Sequence, residues 1–189
     1  MIRTKKDLKH YLNLDRQVYG ITKHFPPFWG GEHWKFLIAL RYEEYHANQK
    51  GVYHKILKKL WYIIHRHYGV KMGWDIPINV FGPGLKINHF CLIVVNDNVR
   101  VGAFCDIHQG VNIGQQGDLA DDVPTIGDNV WIGPGAKLFG RIHIADECVI
   151  GANAVVNKDF LERGTTIAGI PAKKISDKGN PWIRHLKNN

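Results

Sequence analysis

The sequence predicts a mostly β protein, a parallel β-helical solenoid, preceded by a basic α-helical segment. Three observations carry this. A branched apolar residue returns at Ile87, Ile93, Val101, Ile107, Ile113, Ile126, Ile132, Leu138, Ile144, Ile150 and Val156, six positions apart at most steps. The next residue is often glycine, at Gly102, Gly114, Gly127, Gly133 and Gly151. Finally, the fourth residue after each anchor is usually small or aliphatic, as at Cys91, Cys105, Val111, Val130, Ala136, Ile142, Cys148 and Ala154. A helix has no six-residue period, and a half-buried strand alternates every two. Short strands joined by tight turns and stacked as coils satisfy the period, because coils that cannot bury their anchors alone share one core.

The order along the chain divides it into a helical segment at 1–70, the repeat domain at 71–175 and a tail at 176–189. Met1 to Phe25 reads as a helix followed by a loop, and Phe25-Pro-Pro-Phe-Trp-Gly-Gly is a turn-rich break. Trp34 to Asn48 reads as a helix with Leu37, Ile38, Tyr42 and Tyr45 on one face. His54 to Tyr68 reads as a second, with Ile56, Leu57, Leu60, Trp61, Ile64 and Tyr68 opposite Lys55, Lys58, Lys59 and Arg66, and with Gly69 as its stop. Its apolar stripe is expected to pack on the solenoid end or a neighbouring subunit.

The repeat begins after Asp75-Ile76-Pro77. Between Ile113 and Ile126 it is interrupted by a segment seven residues longer than one step, which should protrude as a loop. Regular coils resume at Ile126, and Ala168-Gly169-Ile170-Pro171-Ala172-Lys173-Lys174 closes the domain. Ser176 to Asn189 reads as a basic polar tail around Trp182-Ile183.

Composition excludes several classes. Met1 to Asp15 is charged throughout, unlike a signal peptide, and no apolar run reaches membrane-span length. All three cysteines fall at the inward fourth position of a coil, as small hydrophobes in a reducing cytoplasm, which argues against a cysteine nucleophile. Residues 1–70 hold 13 Lys/Arg against 5 Asp/Glu, whereas the remainder holds 12 of each. The excess fits a solvated basic helical face or peripheral association with anionic membrane; no nucleic-acid reader motif accompanies it.

The repeat, the Ile-Gly pairs, the protruding loop and the Ala-Gly-Ile-Pro-Ala-Lys exit together resemble the hexapeptide-repeat acyltransferases, in their serine acetyltransferase-like branch, which includes sugar and capsule O-acetyltransferases. The resemblance implies a left-handed parallel β-helix, a homotrimer and acetyl-CoA as acetyl donor in clefts between subunits, with no metal. Acetyl transfer from a thioester to a hydroxyl needs a general base, and histidine titrates near working pH. His89 matches the family's catalytic histidine and Asp75 its orienting aspartate, although the spacing of fourteen residues is one shorter than the family's. Pro134, Ala152, Asn157, Lys158 and Lys173 match positions that contact the cofactor.

The acceptor positions depart from true serine acetyltransferases. Those carry an Asp before the catalytic His and an Arg-His pair before Pro in the loop. This chain has Asn88, and Asp122-Val123 before Pro124. A serine carboxylate would then stand unpaired in a desolvated cleft. The neutral, amide-rich lining of Asn88, Gln109, Gln115 and Gln116, with His108 beside the loop as a further acceptor contact, is therefore expected to favour a sugar or polysaccharide-precursor hydroxyl, with serine as the alternative and a non-catalytic binding scaffold as the alternative of another class. A zinc site of the carbonic-anhydrase type is disfavoured, since His89, His108 and His143 fall at different positions of their coils.

Overall fold

The computed structural model describes residues 1–23 and 25–181. Three helices come first: α1 (Lys5–Val18), α2 (Glu32–Ala47) and α3 (Val52–Met72). Short strands follow: β1 (Trp74–Asp75), β2 (Lys86–Ile87), β3 (Ile93–Val95), β4 (Arg100–Val101), β5 (Asp106–Ile107), β6 (Asn112–Gly114) and β7 (Thr125–Ile126). They continue as β8 (Trp131–Ile132), β9 (Lys137–Phe139), β10 (His143–Ile144), β11 (Val149–Ile150), β12 (Val155–Val156), β13 (Thr166–Gly169) and β14 (Ala172–Ser176).

The strands form three sheets, ordered β1-β3-β6-β9-β12, β10-β7-β4 and β14-β13-β11-β8-β5-β2. Every pairing is parallel except β13 with β14. Successive strands visit successive sheets, so each turn of the chain contributes one rung to each of three faces. The register stacks like on like: Ile87, Ile107, Ile132, Ile150 and Ile167 form one file. All eleven sequence anchors are buried, none more than 6% exposed. Seven of the eight fourth-position residues are buried too, but Cys91 is exposed. There the coil bulges: Cys91 takes φ 99° and donates its N–H to Met72 O instead of turning inward.

The glycine column has a steric cause. A Cβ on Gly102 would lie 2.7 Å from the carbonyl carbon of Gly127 on the next coil, and one on Gly133 would lie 2.7 Å from Ile150 O. Coils stacked this closely leave no room for a side chain at those corners.

The helices are tied to the first coil by a buried ionic cluster. Thr4 and Asp7 cap α1 reciprocally. Asp15 on α1 accepts from Arg41 Nε at 2.7 Å and from the N–H groups of Gly84 and Leu85. Arg41 also donates to Glu44, Phe81 O and Gly82 O, and Glu44 accepts from Asn79 N. Burial alone would lower the Arg41 pKa, but the charges of Asp15 and Glu44 drive it up. Burial also pushes the Glu44 carboxyl up, against the opposing pull of Arg41.

Helix α3 differs from expectation in two ways. Gly69 does not stop it; the helix runs on to Met72 and ends at Gly73 in the left-handed conformation. Gly69 is instead a packing glycine, since a Cβ there would stand 2.7 Å from Trp74 O. Of the predicted stripe, Trp61 stacks on Tyr42 at 4.6 Å, while Ile56 and Leu60 stay 64% and 50% exposed. The expected tail lies, from Trp182 onward, outside the described residues; before it, Asn180 is buried and exchanges hydrogen bonds with Asn129.

Candidate active site

The file of isoleucines places a second file two residues further on. After Ile87, Ile107, Ile132 and Ile150 come His89, Gln109, Pro134 and Ala152, at one corner of the coil on four consecutive rungs. Backbone hydrogen bonds run up this corner, from Gly135 N to Gln109 O at 2.9 Å and from Asn153 N to Pro134 O at 2.8 Å. His89 is exposed, at the turn that leaves β2. Gln109 Oε1 is buried and has no hydrogen-bond partner among the described residues. Lys173, opposite Ala168 in the β13–β14 pair, borders the far end of the corner.

The other predicted residues lie elsewhere. Gln115 and Lys158 each follow, by two residues, an anchor of the five-stranded sheet (Ile113 and Val156), so they belong to a different corner, as does the adjoining Asn157. Gln115 donates its amide to Gly117 O at 2.8 Å, and Lys158 sits over the Phe160 ring at 5.5 Å. Asp75 is on β1, in the five-stranded sheet, and its carboxylate is 3.6 Å from Arg66. No hydrogen bond joins Asp75 to His89 among the described residues, so within one chain the expected orienting contact is not made. Asp75 and His89 are close in sequence but leave from different sheets.

Beside His89 the lining carries charge, unlike the neutral one expected from sequence. Asp106, 5% exposed, accepts a short hydrogen bond from the Asn88 amide and lies 3.3 Å from His108 Nε2 and 3.6 Å from Lys86 Nζ. The His108 ring is 5.9 Å from that of His89 and 4.7 Å from Trp131. Sequence reasoning missed Asp106. Its one signal was a carboxylate immediately before an anchor, where Lys86, Trp131 and Val149 occupy the same register.

The protruding loop also differs in its charges. Asp121 and Asp122 both face Arg141, Asp122 at 3.5 Å, and Val123 is only 7% exposed. Two of the loop's acidic residues, Asp121 and Asp122, are thus paired within the chain, and Val123 belongs to the core. Among the described residues no group of three His, Cys, Asp or Glu could hold a metal ion.

Residues 124–158 match the family described as Bacterial transferase hexapeptide (six repeats). A serine acetyltransferase of Helicobacter pylori is 34% identical over 129 residues, 65% of this chain and 75% of that protein. The chain belongs to the hexapeptide-repeat acyltransferases, in their serine acetyltransferase-like branch. A serine acetyltransferase of Synechococcus elongatus is 37% identical over 99 residues, 52% of this chain, and the chain spans only 40% of that relative's length. Among solved structures, a serine acetyltransferase from Brucella abortus superposes with a TM-score of 0.70 at 26% identity, over 93% of this chain and 71% of that one. The coil is the left-handed parallel β-helix of these serine acetyltransferase-like proteins.

These likenesses overturn the sugar or polysaccharide acceptor expected from sequence: the similar curated proteins are serine acetyltransferases, and none points to a glycan subtype. The expectation failed because it counted Asn88 as neutral lining and Asp122-Val123 as facing the acceptor. Asn88 is instead spent on the Asp106 carboxylate, and Asp122 and Val123 are occupied by Arg141 and the core.

Proposed function

We propose that this chain is a serine O-acetyltransferase that takes its acetyl group from acetyl-CoA by direct transfer. The observation that carries the proposal is the corner file, which sets His89 one rung from Gln109, two from Pro134 and three from Ala152. Rungs repeat at about 4.8 Å, so His89 lies roughly 10 to 14 Å along the corner from the two turn positions that match cofactor contacts. The unpartnered Gln109 Oε1 between them fits an amide N–H of the donor's pantetheine arm, because a buried acceptor left unpaired costs about 1–3 kcal/mol.

His89 takes the proton of the serine hydroxyl as its oxygen attacks the thioester carbonyl carbon. Backbone N–H groups at the corner turns receive the developing oxyanion. As the carbon–sulfur bond breaks, His89 returns the proton to the departing sulfur, giving O-acetylserine and free CoA. Such a base contributes on the order of a hundred- to ten-thousand-fold. Asn157, Lys158 and Gln115 lie on another corner, and a homotrimer would bring that corner of one subunit against the His89 corner of its neighbour. Asn157 and Lys158 then meet the donor from across the interface, and Lys173 meets its phosphates. The proposed setting is cytoplasmic, and the three cysteines are unpaired.

The test is free-CoA release from acetyl-CoA with L-serine, for wild type and His89→Ala, alongside calorimetric binding of acetyl-CoA. Serine-dependent release that collapses in the variant while acetyl-CoA still binds supports the proposal. Acetyl-CoA binding without serine-dependent release in the wild type sinks serine as acceptor, and no binding at all leaves a scaffold.

A further inference from the structure

The two sides of helix α3 meet different surroundings. Trp61 stacks on Tyr42 and His65 bonds Glu43, so that side is spent on α2. On the side turned away, Tyr53, Ile56, Leu60, Ile63 and Val70 follow one another at three- and four-residue steps, with exposed His67 filling the single gap. Each of the five is half or more exposed. The stripe runs along most of a 21-residue helix, whose length is about 32 Å. Lys55, Lys59 and Arg66 run beside it at helical spacing, Lys58 and Lys71 add to the charge, and α3 contains no Asp or Glu. Arg66 and Lys71 face Asp75 and Glu32, at 3.6 and 3.4 Å. No carboxylate pairs with Lys55, Lys58 or Lys59 among the described residues. A cavity of about 560 Å³, lined by both Trp61 and Phe25, separates α3 from the loop in which Phe28 and Trp29 are 84% and 85% exposed.

An exposed apolar stripe of this length marks a contact surface, and its charge selects the partner. A second copy joined along the stripe would set cation against cation, with no carboxylate on either helix to answer them. We propose that α3 is a docking surface for the anionic face of a lipid bilayer, with Phe28 and Trp29 as an adjoining anchor. The apolar stripe sinks to the boundary of the acyl chains, while the lysine stems lie along it and carry their ammonium groups to the headgroup phosphates. A bilayer covers a convex helix without matching it side chain for side chain, as a protein groove would have to. No described helix is long and apolar enough to cross a membrane, so α3 lies in the plane of the interface.

The experiment is co-sedimentation of the full chain with phosphatidylcholine vesicles, with and without phosphatidylglycerol, alongside light scattering to follow the oligomeric state. Wild type should bind the anionic vesicles, bind the neutral ones far less, and be released as salt is raised. Lys55→Gln, Lys58→Gln and Lys59→Gln combined should lower the partition constant about a hundredfold. Ile56→Ser with Ile63→Ser should lower it about tenfold or more. All five side chains are exposed, so both variants should keep native circular dichroism. Equal binding to both vesicle types, binding to neither, or anionic binding that survives both sets of substitutions overturns the proposal. A wild-type oligomer that dissociates in the isoleucine variant also overturns it, because a second copy then covers the stripe. If the isoleucine variant fails to fold, the lysine variant decides alone.

Discussion

The Tyr19 hydroxyl grips both backbone groups of Ile87, donating to its carbonyl at 3.0 Å and accepting from its N–H at 2.7 Å. Burial pushes this phenol well above its usual range, keeping it a neutral donor. Tyr19 is the residue at which α1 ends, and Ile87 stands two residues before His89, so the helical segment sets the backbone from which the proposed base projects. Tyr19→Phe strands a buried N–H and a buried C=O. The expected loss is about 1–3 kcal/mol in urea unfolding, together with a lower kcat for acetyl transfer. Unchanged stability would mean that Ile87 finds other partners.

Arg41 is the keystone of the helix-to-coil junction. Arg41→Met leaves Asp15 and Glu44 as uncompensated carboxylates in the interior, and the expected loss is about 3–5 kcal/mol. Replacing all three by apolar residues of similar volume should cost far less, because no charge is then stranded. Denaturant melts of the single and triple variants make the comparison.

The same cluster predicts a pH signature. Burial raises the Glu44 carboxyl in the folded state above its ordinary 4.5. The native form therefore binds more protons than the unfolded chain in the window above 4.5. Stability from this group is fully present below the unfolded pKa and is lost as pH rises through the folded one. Melting wild type and Glu44→Gln across that window should show a downward slope with rising pH in the first that flattens in the second.

At the site, His89→Ala should lower kcat by about a hundred- to ten-thousand-fold. Asp75 faces Arg66, so Asp75→Asn is expected to cost less than about tenfold, short of the loss of a base. A deficit in Asp75→Asn as deep as that of His89→Ala would show that Asp75 reaches His89 in the assembled enzyme.

Gly69→Ala tests the packing of α3. The new methyl would meet Trp74 O, a backbone atom that cannot swing aside. Alanine is the better helix former by about 1 kcal/mol, so a net loss measured by thermal melting isolates the clash. A gain would show that the junction relaxes.

Much of this architecture was legible because a six-residue period leaves its mark on every coil: each anchor from Ile87 to Val156 went where the spacing put it. What stayed hidden depended on neighbours in space. Asp106 reads as an ordinary outward residue until the rungs are stacked and Asn88, eighteen residues earlier, closes over it. The place of Asp75 was hidden for the opposite reason, since fourteen residues in this coil carry the chain from one face to another. Gly69 looked like a helix end because glycine ends helices more often than it makes room for a carbonyl. The two corners that hold the matched positions were indistinguishable in a linear string, and only the register of β6, β9 and β12 separates them from β5, β8 and β11.

The stacked corner also acts as a ruler. Because His89, Pro134 and Ala152 are fixed by rung number, their separations change only in steps of a whole coil, about 4.8 Å at a time. The segment between Gly114 and Thr125 leaves the ladder and returns to it without altering the count, since β5 still pairs with β8 across it. Residues can be inserted, removed or exchanged there while the spacing of the corner positions stays constant. Corner spacing and loop length are thus separable variables in this fold, the first digital and the second free to drift.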